Sequence, residues 1–215
     1  MSVSSSALKF IDVILHIQNY LQPLALQYGV WIYGILFLVI FAETGLIVTP
    51  FLPGDSLLFA TGAFASTGSL NIWFLWFLLC VAAILGDTVN YWIGQRISKA
   101  LFTENSFWFR KQHLDSAEEF YAKHGKKTIV IARFVPLMRT LAPCVAGMAG
   151  MHYKTFLGYN IVGGIVWVSL FLFAGYFFGS VPFVQQNFGI VVIVISIVSF
   201  IPVIWEFVKH KLSKS

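Results

Sequence analysis

Charge is what this sequence has least of. Asp, Glu, Lys and Arg make up 11% of its 215 residues, against 58% hydrophobic, which is roughly half the charged share of an ordinary globular domain. None of the four occurs between Asp12 and Glu43, between Asp55 and Asp87, or between Lys154 and Glu206. A bilayer-spanning helix needs about 20 apolar residues, so each gap has room for at least one crossing, and a water-soluble enzyme or binding module is excluded. Cysteine is nearly absent too. Cys80 and Cys144 stand far apart in apolar sequence, with no CxxC or Cys/His neighbourhood, so neither metal nor redox work nor a disulfide is expected. Met1 to Ser6 lack the basic start and cleavage site of a secretory signal, and the N-terminus is expected to be retained.

The net charge of +5 matters less than its distribution. Arg96, Lys99, Arg110, Lys111, Lys123, Lys126 and Lys127 crowd one hydrophilic stretch, and Lys209, Lys211 and Lys214 close the chain. Both clusters flank apolar runs closely enough for the positive-inside rule, which puts them in the cytoplasm together with both termini. No basic stripe interleaves with exposed aromatics, so nucleic acid is not an expected partner.

The periodicity of Ile14, Ile17, Leu21 and Leu24 predicts an amphipathic surface helix within 1–28. Residues 29–208 read as one membrane transport domain, with spans at 30–48, 72–94, 156–179 and 188–207, a cytoplasmic helical loop at 96–127, and a basic tail at 209–215. Within the loop, Asp115 with Glu118 resembles the capping box of a helix, and Gly125 reads as its stop. Two apolar segments interrupt this pattern. The first, 50–68, is broken by Pro50, Pro53 and Gly54, and Asp55 with Ser56 reads as the cap of the helix that follows. The second, 128–150, is broken by Pro136 and Pro143. The charge bias requires each to return to the side it entered from, and the two enter from opposite faces. The predicted fold is thus an all-α polytopic membrane protein, an inverted-repeat core with two opposed re-entrant hairpins, as in many secondary transporters.

Charges beside the breaks are the candidate site: Glu43, Asp55 and Asp87 in the first half, Arg133 and Arg139 in the second. An ionisable group at membrane depth costs at least about 2.5–3.5 kcal/mol unless paired or hydrated. A guanidinium stays charged and offers a phosphate two parallel hydrogen bonds, while a buried carboxylate can take up and release protons. Arg133 and Arg139 for an anion, with Glu43, Asp55 and Asp87 for protons, is a set suited to proton-linked movement of a phosphate-bearing lipid. Blander readings stand beside it: the arginines snorkel to headgroups, Asp55 is only a cap, and Asp87 serves Asn90 or Tyr91 on its own helix. No histidine flanks either break, which argues against a lipid phosphatase. A proton-coupled cation antiporter and a structural membrane helper are the other readings. No cofactor or metal is expected, and a homo-oligomer stays open.

FAETGLIVTPFLPGDSLL from Phe41, GDTVNYWIG from Gly86, KHGKKTIVIARFVPLMRTLAPCVAGMAGM from Lys123 and YNIVGGIVWV from Tyr159 together resemble the bacterial DedA family of the VTT-domain superfamily. The resemblance implies opposed re-entrant hairpins, residence in the bacterial inner membrane, and return of undecaprenyl phosphate, or scrambling of phospholipid, with dependence on the proton motive force. It places functional acids at Glu43 and Asp55 and functional arginines at Arg133 and Arg139. Asp87 comes from the residues alone.

Overall fold

The structure, a computed structural model, describes residues 30–46, 54–101, 128–134 and 136–179, with isolated positions up to 194. All elements among the described residues are helices: α1 (Trp31–Gly45), α2 (Gly54–Ala65), α3 (Ile72–Leu101), α4 (Thr128–Ala132), α5 (Pro136–Met148) and α6 (Tyr153–Phe178). Within them, Ile72–Ile97 and Tyr153–Phe178 are long and apolar enough to cross a membrane. They match the expected spans at 72–94 and 156–179. The first runs on into Arg96 and Lys99, because the basic residues that mark a membrane edge need not end a helix. α1 has 15 residues, about 22 Å at 1.5 Å per residue. The expected surface helix at 1–28, the breaks Pro50 and Pro53, the loop after Leu101 with its expected capping box and Gly125, all but isolated positions of the span at 188–207, and the tail lie outside the described residues.

Local chemistry sets helix ends. Asn71 caps α3, its Oδ1 accepting from the N–H of Trp73 (3.1 Å) and Phe74 (3.0 Å). α5 ends in a Schellman motif: Met151 N–H donates to the Ala146 carbonyl at 3.1 Å, Gly150 N–H donates to that of Gly147 at 3.3 Å, and Gly150 takes φ 65°.

Two sequence expectations change here. Pro143 does not break its segment; it lies inside α5, which continues to Met148. Proline is tolerated in such helices, and in the turn before Pro143 the Asn90 amide donates to the Thr140 carbonyl. Asp55 is in the first turn of α2, which opens at Gly54. There its charge faces the positive end of the helix dipole.

The chain divides into two compact units, one formed by residues 1–37, 52–79 and 168–215, the other by 38–51 and 80–167. In the first, α2 is buried at every position but Leu57 and Phe64. It packs backbone to backbone on α6: a Cβ at Gly175 would overlap the Phe59 carbonyl, and one at Gly62 the carbonyl of Leu172. Trp76 Nε1 donates to Ser169 Oγ at 2.8 Å, fastening α3 to α6.

In the second unit α5 packs on α3. A Cβ at Gly94 would overlap the Cys144 carbonyl, and one at Gly147 the carbonyl of Tyr91. Tyr91, Ile129, Ala146 and Phe156 form a shared core of α3, α4, α5 and α6. The two contacts are the same step. Positions 59 and 62 face 175 and 172; positions 144 and 147 face 94 and 91. Each short helix therefore lies antiparallel on the long helix of the other half of the sequence.

Candidate functional site

Every charged residue of the site belongs to the second unit except Asp55, which stands in the first. Glu43, Asp87, Arg133 and Arg139 expose between 1 and 3% of their surface. A charge so placed is stable only with a partner, and the partners are specific. Arg139 on α5 donates through Nη2 to Glu43 Oε1 near the end of α1 at 2.5 Å. Its Cζ lies 4.7 Å from the ring centroid of the fully buried Trp167, giving a cation–π contact on another side. Arg133, in the turn after α4, donates through the same Nη2 to Asp87 Oδ2 on α3 and, at 2.5 Å, to Asn160 Oδ1 on α6. The Asn160 amide in turn donates to the Ile84 carbonyl at 3.0 Å.

Two glycines make room for this arrangement. A Cβ at Gly163 would come within 2.9 Å of Arg133 Cδ, and one at Gly164 within 3.5 Å of its Nη1. The guanidinium thus rests in a slot on α6 that any larger residue would narrow. Arg133 Nε and Nη1 and Asp87 Oδ1 have no hydrogen-bond partner among the described residues, so the pair keeps donors and an acceptor in reserve.

The structure thereby pairs the arginines with Glu43 and Asp87, four of the residues singled out in the sequence, and removes two of the bland readings. Both arginines are buried, so neither snorkels. Asp87 serves Arg133 and not its helix neighbours: the Tyr91 hydroxyl donates to the Met151 carbonyl, and Asn90 Nδ2 donates to the carbonyls of Thr44 (3.2 Å) and Thr140 (2.7 Å). Sequence reasoning missed Asn160 and Trp167, and gave Asn90 no role beyond a neighbour of Asp87. The signal for Asn160 was an amide inside an uncharged apolar span, directly before the glycine pair.

Residues 52–177 match the VTT domain. Over 204 residues, 94% of this chain and 93% of the other, the sequence is 53% identical to protein DedA of Escherichia coli strain K12. The chain belongs to the DedA family. Other relatives are an uncharacterized membrane protein of Mycobacterium leprae, 47% identical over 76% of this chain and 74% of that one, and the inner membrane protein YqjA of E. coli K12, 34% identical over 70% and 69%. No solved structure matches the chain. As a DedA-family member it is a membrane protein, in keeping with its two apolar spans.

The glycine slot of this DedA-family site yields a contrast within one helix. Gly163→Ala drives a methyl into Arg133 and is expected to lower stability by about 1–3 kcal/mol. Gly158→Ala, with nothing within 4 Å of its Cβ, is expected to raise it by roughly 0.5–1 kcal/mol. Thermal unfolding of the two variants in detergent checks the opposite signs.

Proposed function

We propose that this chain moves an anionic lipid across the membrane and couples the movement to protons by exchanging the partners of its buried arginines. The observation that carries this reading is that Arg139 is paired with Glu43 and Arg133 with Asp87, all four away from solvent. When a proton neutralises either carboxylate, its guanidinium stays charged and loses that anion. A phosphate oxyanion meets that need and can accept two parallel N–H bonds. Proton and phosphate then enter together as a neutral package, which is how charge crosses low dielectric at least cost. A cation would instead have to displace an arginine from its carboxylate, so the pairing disfavours a cation antiporter.

Undecaprenyl phosphate is the proposed lipid, with phospholipid the alternative of the same headgroup chemistry, and the lipid tail stays in hydrocarbon. Asp55 is assigned a gating role at the start of α2. The proposed arrangement has α2 and α5 as limbs of opposed re-entrant hairpins, crossings at α1, α3, α6 and 188–207, and both termini cytoplasmic in a bacterial inner membrane. The mirrored packing of α2 on α6 and of α5 on α3 supports an inverted repeat. The role is transport, with no enzymatic step, metal or cofactor.

The test is leaflet exchange of undecaprenyl phosphate in proteoliposomes, with and without a pH gradient. The unaltered protein is expected to exceed empty liposomes and to speed up with the gradient. Glu43→Gln should keep downhill exchange and lose the gradient response. Folded protein with no exchange above empty liposomes would overturn the proposal.

A further inference from the structure

Glu43 and Arg139 come from helices far apart in sequence, and the side chain that joins their backbones is neither of them. Asn90, on α3 and fully buried, uses both N–H groups of its Nδ2, one on the Thr44 carbonyl at 3.2 Å and one on the Thr140 carbonyl at 2.7 Å. Thr44 directly follows Glu43, and Thr140 directly follows Arg139. Both are places where a helix holds itself less firmly. Thr44 is in the last turn of α1, where carbonyls lack a partner further along the helix. Thr140 is in the turn loosened by Pro143, which has no N–H to give the Arg139 carbonyl.

α3 is itself fixed on both sides of this point. A Cβ at Gly86, one turn earlier, would overlap the Thr44 hydroxyl, and Gly94, one turn later, lies against the Cys144 carbonyl of α5. A carboxamide suits the task because it brings two donors on one nitrogen; a carboxylate of equal size brings none.

We propose that Asn90 is the positioning residue of the Glu43–Arg139 pair: its single amide ties α1 to α5 and sets how closely carboxylate and guanidinium meet. The assignment rests on the transport reading for its consequence, since that spacing governs how readily Arg139 is released to a phosphate. Among the described residues Asn90 hydrogen-bonds to neither charge.

The test is a cycle of four proteins in proteoliposomes, unaltered, Glu43→Gln, Asn90→Asp and the double variant, each assayed for undecaprenyl phosphate exchange. Asn90→Asp is expected to slow exchange about tenfold in the unaltered background and by less than about twofold once Glu43 is already neutral, because residues acting through one another are not additive. Equal factors in both backgrounds would mean that Asn90 only supports the fold, and the proposal is then wrong. If Asn90→Asp does not yield folded protein, Asn90→Ser runs the same cycle.

A readout independent of transport comes from Trp167, which stacks on Arg139. The proteins carry 5-fluorotryptophan, and the Trp167 resonance is assigned by its loss in Trp167→Phe. The fluorine signal is expected to move with Asn90→Asp and in the same sense with Glu43→Gln. If the unaltered protein shows no exchange, the transport reading fails and this resonance decides alone: movement sustains the positioning role of Asn90, and an unmoved signal refutes it.

Discussion

Arg133→Ala is expected to abolish lipid exchange and to cost about 3–5 kcal/mol of stability, the usual loss when one partner of a buried pair is removed. The alanine leaves Asp87 at 1% exposure with no cation to hold, and it deprives Asn160 Oδ1 of its 2.5 Å donor. Stability and transport separate in the double variant Arg133→Met with Asp87→Leu. Replacing both charges by apolar residues of similar volume removes the stranded carboxylate, so most of the thermal midpoint should return. The return should be incomplete, since Asn160 still lacks the donor. Exchange should stay absent, because the guanidinium that would take the phosphate is gone. Thermal unfolding in detergent and the proteoliposome assay read the two properties separately, and a double variant that still exchanges lipid would remove Arg133 from the proposed phosphate site.

The second large effect belongs to the glycines at the helix crossings. Gly62→Val and Gly147→Val are each expected to leave little folded protein, because the first side-chain carbon already overlaps a backbone carbonyl, of Leu172 in one case and Tyr91 in the other. A carbonyl cannot swing aside as a side chain does, so the helices must part. Overpacking in a core costs about 1–3 kcal/mol even where neighbours can give. In lipid, helix association depends on such close approach, with no hydrophobic force to replace it. The two substitutions should be equally damaging, since they interrupt the same step in the two units. Gly34→Val, on an open face with nothing within 4 Å, is the comparison. Yield of monodisperse protein on size-exclusion chromatography checks all three.

What was legible in the sequence follows from what is costly in a bilayer. α3 and α6 could be read because long uncharged stretches have few other fates. Glu43, Asp87, Arg133 and Arg139 could be read because an ionisable residue in apolar surroundings needs a reason. Which acid meets which arginine could not, because pairing depends on helix crossings that local periodicity does not encode. Asn90, Asn160 and Trp167 escaped for a related cause: a neutral amide or an indole in an apolar span is cheap enough to pass as ordinary, and its importance comes from a partner 27 to 76 residues distant. Pro143 misled in the opposite direction. Its missing N–H signalled a break, but the Asn90 amide, from another helix, reaches the loosened turn and α5 continues.

The crossing of α2 with α6 also has a consequence for how the protein is made. Phe59 and Gly175, which meet there, are separated by 175 − 59, or 116, residues of chain. At about 5–20 residues per second of synthesis, α2 leaves the ribosome on the order of ten seconds before its partner exists. For that interval α2, whose Phe59 and Gly62 lie against α6 in the finished protein, must wait without that surface. α5 faces no such delay, for α3 is already in place when it emerges. The nascent first half is therefore the stage at which this chain depends most on the insertion machinery to shelter it.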